Sequence, residues 1–364
     1  MDPERVSKKG TIMIKAKVIG AGGYGGVGIT ELLLGHTQAE IACLVDVADI
    51  GTPISELYPH LSGFCDMPVV AASDPQSAES ADVVFMATPD GVGMKLAQAE
   101  LDAGAKVIDY SGDFRFNTAE SYAEYAARIG KDTKHACPEL LSQAVYGLAE
   151  LHRKEIGPDT RIVGNPGCFA VSCLLGLAPA AANSLIRLDT IICDCKTGVS
   201  GAGKNPSATF HYPARYDSMN AYKLTGHQHV CEIERELSLL TGEAVRVTFT
   251  AQVVPVCRGI MSCLYAGLAK GSGADDVKAA FQDYYQGNAF IRVLDNDAAV
   301  NSAHVRGTNY CNLVVDVDTR TNTLRVVSYI DNLVKGQSGS ALQNMNLMFG
   351  FPETDGMDQP GRYP

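Results

Sequence analysis

Apolar and β-branched residues dominate Met13–Gly20, a glycine cluster follows, and the apolar positions of Val27–Leu34 then recur at helical spacing before a second apolar run, Ile41–Asp46. Strand, glycine turn, helix and strand in that order open a βαβ unit. Two more short apolar runs, Asp82–Ala87 and Lys106–Tyr110, flank a helical segment at Gly93–Ala103. Short apolar strands alternating with helices predict a parallel, doubly wound sheet covered on both faces.

The pattern changes after Gly164. A helix is expected over Ala170–Ala182, and then strands predominate: Thr190–Lys196, Val245–Val256, Gly259–Leu268, Asn312–Asp318 and Leu324–Tyr329. The last two are joined only by Thr-Arg-Thr-Asn, too short for a parallel crossover, so this second sheet is expected to be mixed or antiparallel. From Asp331 the pattern turns helical again over Gly339–Met348 and ends in a Pro/Gly-rich tail expected to be weakly ordered. The fold class is therefore α/β: a Rossmann-type doubly wound parallel sheet, plus an α+β domain with a mixed sheet.

A chain of 364 residues exceeds what one core supports, which agrees with two domains. The formal net charge of −11 and the lack of any dense Lys/Arg run exclude the usual footprint of a nucleic-acid or anionic-membrane binder. A small molecule is the expected partner; if it is anionic, local Arg and Lys must gather it. The apolar stretch Ala170–Ala182 is shorter than the roughly 20 residues that span a bilayer, and Met1–Gly10 is charged without the apolar middle of a signal peptide. Eleven cysteines, an odd number with no C-x-x-C pair, fit a reduced compartment better than a disulfide framework or zinc ribbon. A cytoplasmic protein is expected.

Gly20-Ala21-Gly22-Gly23-Tyr24-Gly25 matches G-x-G-x-x-G between a strand and a helix, where glycines let the backbone approach a pyrophosphate at the helix N-terminus. Without that context the motif is only a glycine-rich turn. The next strand ends at Asp46, where an acidic side chain accepts hydrogen bonds from a ribose diol and repels a 2′-phosphate, favouring NAD over NADP. The alternative is a simple strand-end turn residue. Between Lys17 and Arg115 the only Lys or Arg residues are Lys95 and Lys106, so the loop itself offers no compensating cation.

Gly164-Asn165-Pro166-Gly167-Cys168 delivers a cysteine to the first turn of a helix, where unpaired amides and the positive dipole end favour thiolate. Cys168 is the best-placed nucleophile; a cysteine chosen blindly among eleven would be structural. Gly226-His227-Gln228-His229 precedes an amphipathic helix beginning near Cys231 and Glu232. One histidine is expected to face the thiol as the proton-transfer group, the other to bind substrate or Glu232, since positions i and i+2 do not share a helix face. His227, His229 and Cys231 as metal ligands are the competing reading, weakened by the lack of a fourth ligand at recognisable spacing. Lys196–Lys204 is a small-residue loop bracketed by lysines; it either brings amides and ammonium groups to an anion or cofactor or is merely a flexible connection.

From Val18 to about Phe351 these motifs resemble, in order, the N-acetyl-γ-glutamyl-phosphate reductases, relatives of aspartate-semialdehyde dehydrogenase. The matching segments are Gly20–Gly26, Asp82–Pro89, Tyr110–Arg115, Pro138–Leu141 with Tyr146–Glu150, Asn165–Phe169, Thr197–Gly203, Gly226–Ile233, Arg258-Gly259 and Asp331–Gly336. The resemblance implies that Cys168 carries the acyl group and that His227 or His229 is the acid–base catalyst. It implies cofactor contacts from Gly20, Gly22, Gly23, Tyr24, Gly25, Asp46, Gly201 and Asn332, and substrate or phosphate contacts from Ser111, Arg115, Ser200 and Glu232. It implies no metal and a homodimer or homotetramer. It also returns the C-terminal helix to the first domain, so residues 1–165 and 331–364 form the dinucleotide-binding domain and 166–330 the catalytic and oligomerisation domain.

The implied reaction is attack of Cys168 on an acyl phosphate, loss of phosphate to leave a thioester, hydride transfer from the nicotinamide, and protonation by histidine as the semialdehyde forms. NADP is the cofactor the family uses, yet the short acidic Val45-Asp46-Val47-Ala48-Asp49 keeps NAD open. Two alternatives stand beside this reading. One is a sister reductase for aspartyl phosphate or a carrier-linked aminoadipyl phosphate; the other is a non-catalytic nucleotide- or metal-binding regulator.

Overall fold

The computed structural model describes residues 13–295 and 299–361. Met1–Gly10 and the end of the Pro/Gly-rich tail, residues 362–364, lie outside the described residues.

The first sheet is built from β1 (Ile14–Ile19), β2 (Ala39–Val45), β3 (Val69–Val70), β4 (Val83–Met86), β5 (Lys106–Asp109), β6 (Ala144–Tyr146) and β7 (Ile162–Gly164). Their spatial order is β3-β2-β1-β4-β5-β7-β6, and every pair is parallel. The sequence pattern finds β1, β2, β4 and β5 to within a residue or two. It misses β3, β6 and β7, which at two or three residues are too short to show a period. Helices α1 (Tyr24–Leu34), α2 (Gly93–Asp102) and α3 (Ala119–Arg128) follow the strands.

The chain leaves β1 through Gly20, whose φ of +85° and whose approach to Ala87 (a Cβ would lie 2.4 Å from the carbonyl oxygen) only glycine tolerates. The ends of β1 and β4 are thereby held together, and α1 starts over that junction.

Helix α4 (Cys168–Ala182) begins two residues earlier than its periodicity indicates and is buried without a gap from Phe169 to Ala181. Such a helix, apolar on every face, belongs inside a core rather than on a surface. It packs on the second sheet: β8 (Ile192–Thr197), β9 (Asn220–Tyr222), β10 (Thr248–Val253), β11 (Ile260–Gly267), β12 (Ile291–Leu294), β13 (Cys311–Asp318) and β14 (Thr323–Ile330). The order is β12-β13-β14-β11-β8-β10-β9, with β10/β8 and β12/β13 parallel and the remaining pairs antiparallel, so the sheet is mixed as expected. Along β11 buried and half-buried residues alternate, which places one face on α4 and leaves the other partly open. Helices α5 (His229–Thr241) and α6 (Ala274–Tyr284) complete the packed side.

After β14 a π-helical turn, Val334–Ser338, leads into α7 (Gly339–Phe349). Ala341, Leu342, Met345 and Met348 of α7 are buried with α1 and β1 in the core of the first sheet. The chain thus crosses from the second sheet back to the first through the π turn, and the site lies along this crossing.

Candidate active site

Helix α1 starts at Tyr24 behind Gly23, with no side chain capping its first amides, so these donors are available to a phosphate. Asp46, the residue after β2, folds onto this loop. Its Oδ2 accepts from the Gly22 amide at 2.8 Å and its Oδ1 from the Val47 and Ala48 amides at 2.7 and 3.4 Å. Tyr58 donates to the Gly22 carbonyl at 2.8 Å. Both Asp46 oxygens are therefore engaged by main chain of the loop. The cation missing from the loop arrives from the other sheet: Lys204 Nζ lies 3.6 Å from Asp49 Oδ2 and 3.2 Å from where a Cβ on Gly22 would sit.

Cys168 is the first residue of α4, presented by an elbow between β7 and the helix. The Asn165 amide donates to Asp109 O at 2.7 Å, and its Nδ2 to Gln337 O at 2.9 Å, clamping the elbow between β5 and the π turn. Two glycines make room for the nucleophile's surroundings. A Cβ on Gly167 would lie 2.2 Å from His229 Nε2 and 2.9 Å from Glu232 Oε1, and one on Gly336 would lie 2.6 Å from the Cβ of Cys168. The helix-start amide of Phe169 and the Arg115 charge pull the Cys168 thiol toward ionisation, but burial outweighs them and pushes it up to about 12. Desolvation thus works against the thiolate expected at a helix start: the terminus supplies only partial charges, whereas desolvation opposes a full one.

The two histidines do not point apart, which corrects the reading from their i, i+2 spacing. The helix starts at His229, so His227 lies outside it and its direction is not set by helical geometry. Their ring centroids are 4.9 Å apart, and both rings meet the edge or face of Phe169, at 5.6 and 5.9 Å. His227 Nδ1 accepts from the His229 amide at 3.3 Å. Burial pushes His227 down to about 2 and holds His229 well below the ordinary imidazole value. Both are neutral at physiological pH. Nδ1 of His229 is buried and finds no hydrogen-bond partner among the described residues.

Arg115 and Glu232, both expected at the substrate, form a buried pair with Nη1 and Oε1 at 2.9 Å. Arg115 also donates to Asn165 O at 2.7 Å and Tyr110 O at 2.6 Å. Oε2 of Glu232 accepts from Tyr146 Oη at 2.9 Å and from the Gly167 amide at 3.0 Å. Glu232 thus holds the elbow behind Cys168 with both oxygens used, while two guanidinium N–H groups of Arg115 keep spare donor capacity. Ser111 donates to Asp109 Oδ2 at 2.6 Å. Asn332 accepts from the Gly259 amide at 2.8 Å and donates to Ser200 Oγ at 3.0 Å; Gly201 lies against its Nδ2, with a would-be Cβ at 3.7 Å.

Tyr146, Tyr222 and Gly336 gain positions the sequence reading did not assign. Tyr222, on the short edge strand β9, meets His227 at 5.5 Å between centroids. No periodic signal marks a three-residue strand, and nothing local to Gly336 shows that it backs Cys168. Among the described residues no three His, Cys, Asp or Glu side chains are arranged to hold a metal ion.

The family model described as "Semialdehyde dehydrogenase, NAD binding domain" matches residues 15–158, and "Semialdehyde dehydrogenase, dimerisation domain" matches residues 168–332. An N-acetyl-gamma-glutamyl-phosphate reductase of Pelotomaculum thermopropionicum is 41% identical over 351 residues, 96% of this chain and 99% of that protein. The chain belongs to the N-acetyl-γ-glutamyl-phosphate reductase family. A second member, from Geobacter sp. strain M21, is 40% identical over 95% of this chain and 98% of its own. Among solved structures, aspartate semialdehyde dehydrogenase II of Vibrio cholerae superposes with a TM-score of 0.69 at 15% identity, covering 93% of this chain and 98% of that one. The enzyme of that name from Candida albicans, solved with NADP, gives 0.65 at 17%, covering 92% and 98%. These two likenesses concern the fold. Family membership makes the chain an oxidoreductase of amino-acid biosynthesis.

Proposed function

We propose that this chain reduces N-acetyl-γ-glutamyl phosphate to N-acetylglutamate semialdehyde with release of phosphate, a step of arginine biosynthesis, through a thioester on Cys168. The observation that carries the reading is the placement of Cys168 at the uncapped start of α4, beside two buried neutral imidazoles and across the π turn from a glycine loop. The glycine loop fits a dinucleotide: Gly20 and Gly26 admit no Cβ, and the first amides of α1 have no side-chain partner. When bound, the nicotinamide supplies the hydride. NADP is the cofactor we assign, in keeping with the family and with the Candida albicans relative solved with it.

Because the resting thiol is neutral, it needs a base when it attacks. His229 is the candidate, with Nε2 packed on Gly167, the residue before Cys168, and Nδ1 unpartnered. It takes the thiol proton as sulfur bonds to the acyl carbon, and that proton leaves with the phosphate. After reduction the carbon–sulfur bond breaks to give the aldehyde, and a proton from solvent returns to Cys168 by the same imidazole. The amides at the start of α4 face the carbonyl oxygen as it gains charge. The spare N–H groups of Arg115 hold the substrate's anionic end, and Glu232 fixes Arg115 and the elbow.

Residues 13–165 with 331–361 hold the dinucleotide and 166–330 the reacting groups, and the half-open face of the second sheet joins copies of the chain as a homodimer or homotetramer. The free state of all eleven cysteines fits a cytoplasmic setting. The deciding assay follows formation of reduced cofactor at alkaline pH with N-acetylglutamate semialdehyde and phosphate, with aspartate semialdehyde as competitor. A preference for aspartate semialdehyde would reassign the substrate; no turnover with either would remove the enzyme reading.

A further inference from the structure

We propose that Lys204 is the residue that admits a 2′-phosphate on the adenosine ribose, and so sets the preference for NADPH over NADH; the proposal rests on the dinucleotide reading of the glycine loop. The end of β2 is where a Rossmann-type sheet meets that ribose, and here Asp46 and Asp49 stand. Two carboxylates at this position oppose a dianionic phosphate. The segment from the end of β1 to the start of α2 brings no Lys or Arg to offset them, since none occurs between Lys17 and Lys95, and Lys17 is itself buried against Glu100 at 2.9 Å.

Lys204 comes from the loop after β8. Its Nζ stands 3.2 Å from the Cβ position of Gly22, where Asp46 Oδ2 stands at 3.1 Å, and 3.6 Å from Asp49 Oδ2. The ammonium therefore sits over the glycine loop between the two carboxylates. The base of this loop is fixed. The Gly198 amide donates to Gly259 O at 2.9 Å, the Ser200 amide to Cys257 O at 3.1 Å, and Asn332 to Ser200 Oγ at 3.0 Å. Gly203, with φ of +82°, turns the chain so that the lysine reaches back to the first sheet.

The pair with Asp49 is long and about 40% exposed on each side (38% and 41%), so it is weakly held. A flexible ammonium so held can transfer to a phosphate, a stronger acceptor. Asp46 gives up little in the exchange, because three main-chain amides already donate to its carboxylate. Lys204 thus discriminates by charge: the phosphate gains a partner, while a ribose hydroxyl gains almost nothing.

Equilibrium titrations of NADPH and NADH, followed by nicotinamide fluorescence in wild type, Lys204→Arg and Lys204→Met, test this without turnover; 2′,5′-ADP and 5′-AMP serve as competitors. Lys204→Met should weaken NADPH and 2′,5′-ADP roughly tenfold or more while NADH and 5′-AMP stay within about twofold, and Lys204→Arg should retain most of the preference. Equal weakening of NADPH and NADH would overturn the proposal by placing Lys204 on a group common to both, and unchanged affinities would overturn it outright. Wild-type protein that binds neither dinucleotide would instead bring down the cofactor reading, and the proposal with it.

Discussion

Gly336 stands directly behind Cys168: a Cβ on the glycine would fall 2.6 Å from the Cβ of the cysteine and 3.2 Å from its Cα. The contact is made by a π turn, in which the Gly336 amide donates to Asp331 O at 2.9 Å and the Ser338 amide to Leu333 O at 3.1 Å. The extra residue in that turn places a backbone, not a side chain, against the nucleophile.

Gly336→Ala is expected to displace Cys168 or the turn. A shift of about 1 Å at a reacting atom can cost about 100-fold in rate, and overpacking typically costs about 1–3 kcal/mol of stability. The expected result is kcat/KM down about 100-fold or more in a protein that still folds, measured beside its circular dichroism and Tm. Near wild-type turnover would mean that the site tolerates a methyl group there.

Cys168, half-buried at the start of α4, should behave as a protonated thiol in the free protein. Its alkylation by iodoacetamide, read by peptide mapping, should keep accelerating as pH rises past 9, because burial holds its pKa at about 12. A plateau near neutral pH would show a thiolate at rest. In the same site Cys168→Ser should abolish turnover and leave dinucleotide affinity close to wild type.

The histidines should separate on substitution. His229 packs on Gly167 and has an unpartnered Nδ1, whereas His227 Nδ1 is spent on the His229 amide. His229→Asn is expected to lower kcat by about 100-fold or more, the range for a lost general base, and His227→Asn by about tenfold or less, since asparagine can still accept that amide. Equal losses, or the reverse ranking, would move the proton-transfer role.

Where the chain spends several consecutive residues on one pattern, its structure could be read. β1, α1, β2 and the long apolar α4 follow from periodicity and glycine placement, and the joint at Gly167-Cys168 follows from a helix that must begin there. The site was legible as a set of residues and only partly as a set of contacts. Asp46 was placed correctly at the end of β2, yet its side chain turned back to three amides that no local pattern marks. Lys204 meets Asp49 at a sequence separation of 155, and Glu232 meets Arg115 at 117, separations at which sequence patterning carries no geometry. The state of the Cys168 thiol is subject to the same limit, because a dipole is visible in a helix start while desolvation depends on how the whole core packs around it.

Acid should destabilise the protein before its carboxylates titrate, and the histidine pair should carry a large part of that loss. His227 and His229 are only 2% and 7% exposed, and burial depresses both, His227 to about 2. In the unfolded chain each titrates near about 6.5. Below that value the unfolded state takes up protons that the folded state refuses, so stability is fully present above about pH 6.5 and declines as pH falls. The loss per group approaches about 1.4 kcal/mol per pH unit only well below the unfolded value, so between pH 6.5 and 5.5 each imidazole costs about 1 kcal/mol and the pair about 2 kcal/mol. His152 works in the opposite sense: Glu236 and Glu155 raise its pKa, so its contribution is present at low pH and lost as pH rises. His135, also depressed by burial, adds to the loss. Urea unfolding at pH 7.5 and 5.5 should therefore show a clear drop in wild type and a smaller one in a His227→Gln/His229→Gln double variant, whatever the variant's absolute stability. Equal drops in the two proteins would mean that the imidazoles are protonated in the folded state at pH 5.5, and that the pair cannot then act as a neutral base beside Cys168.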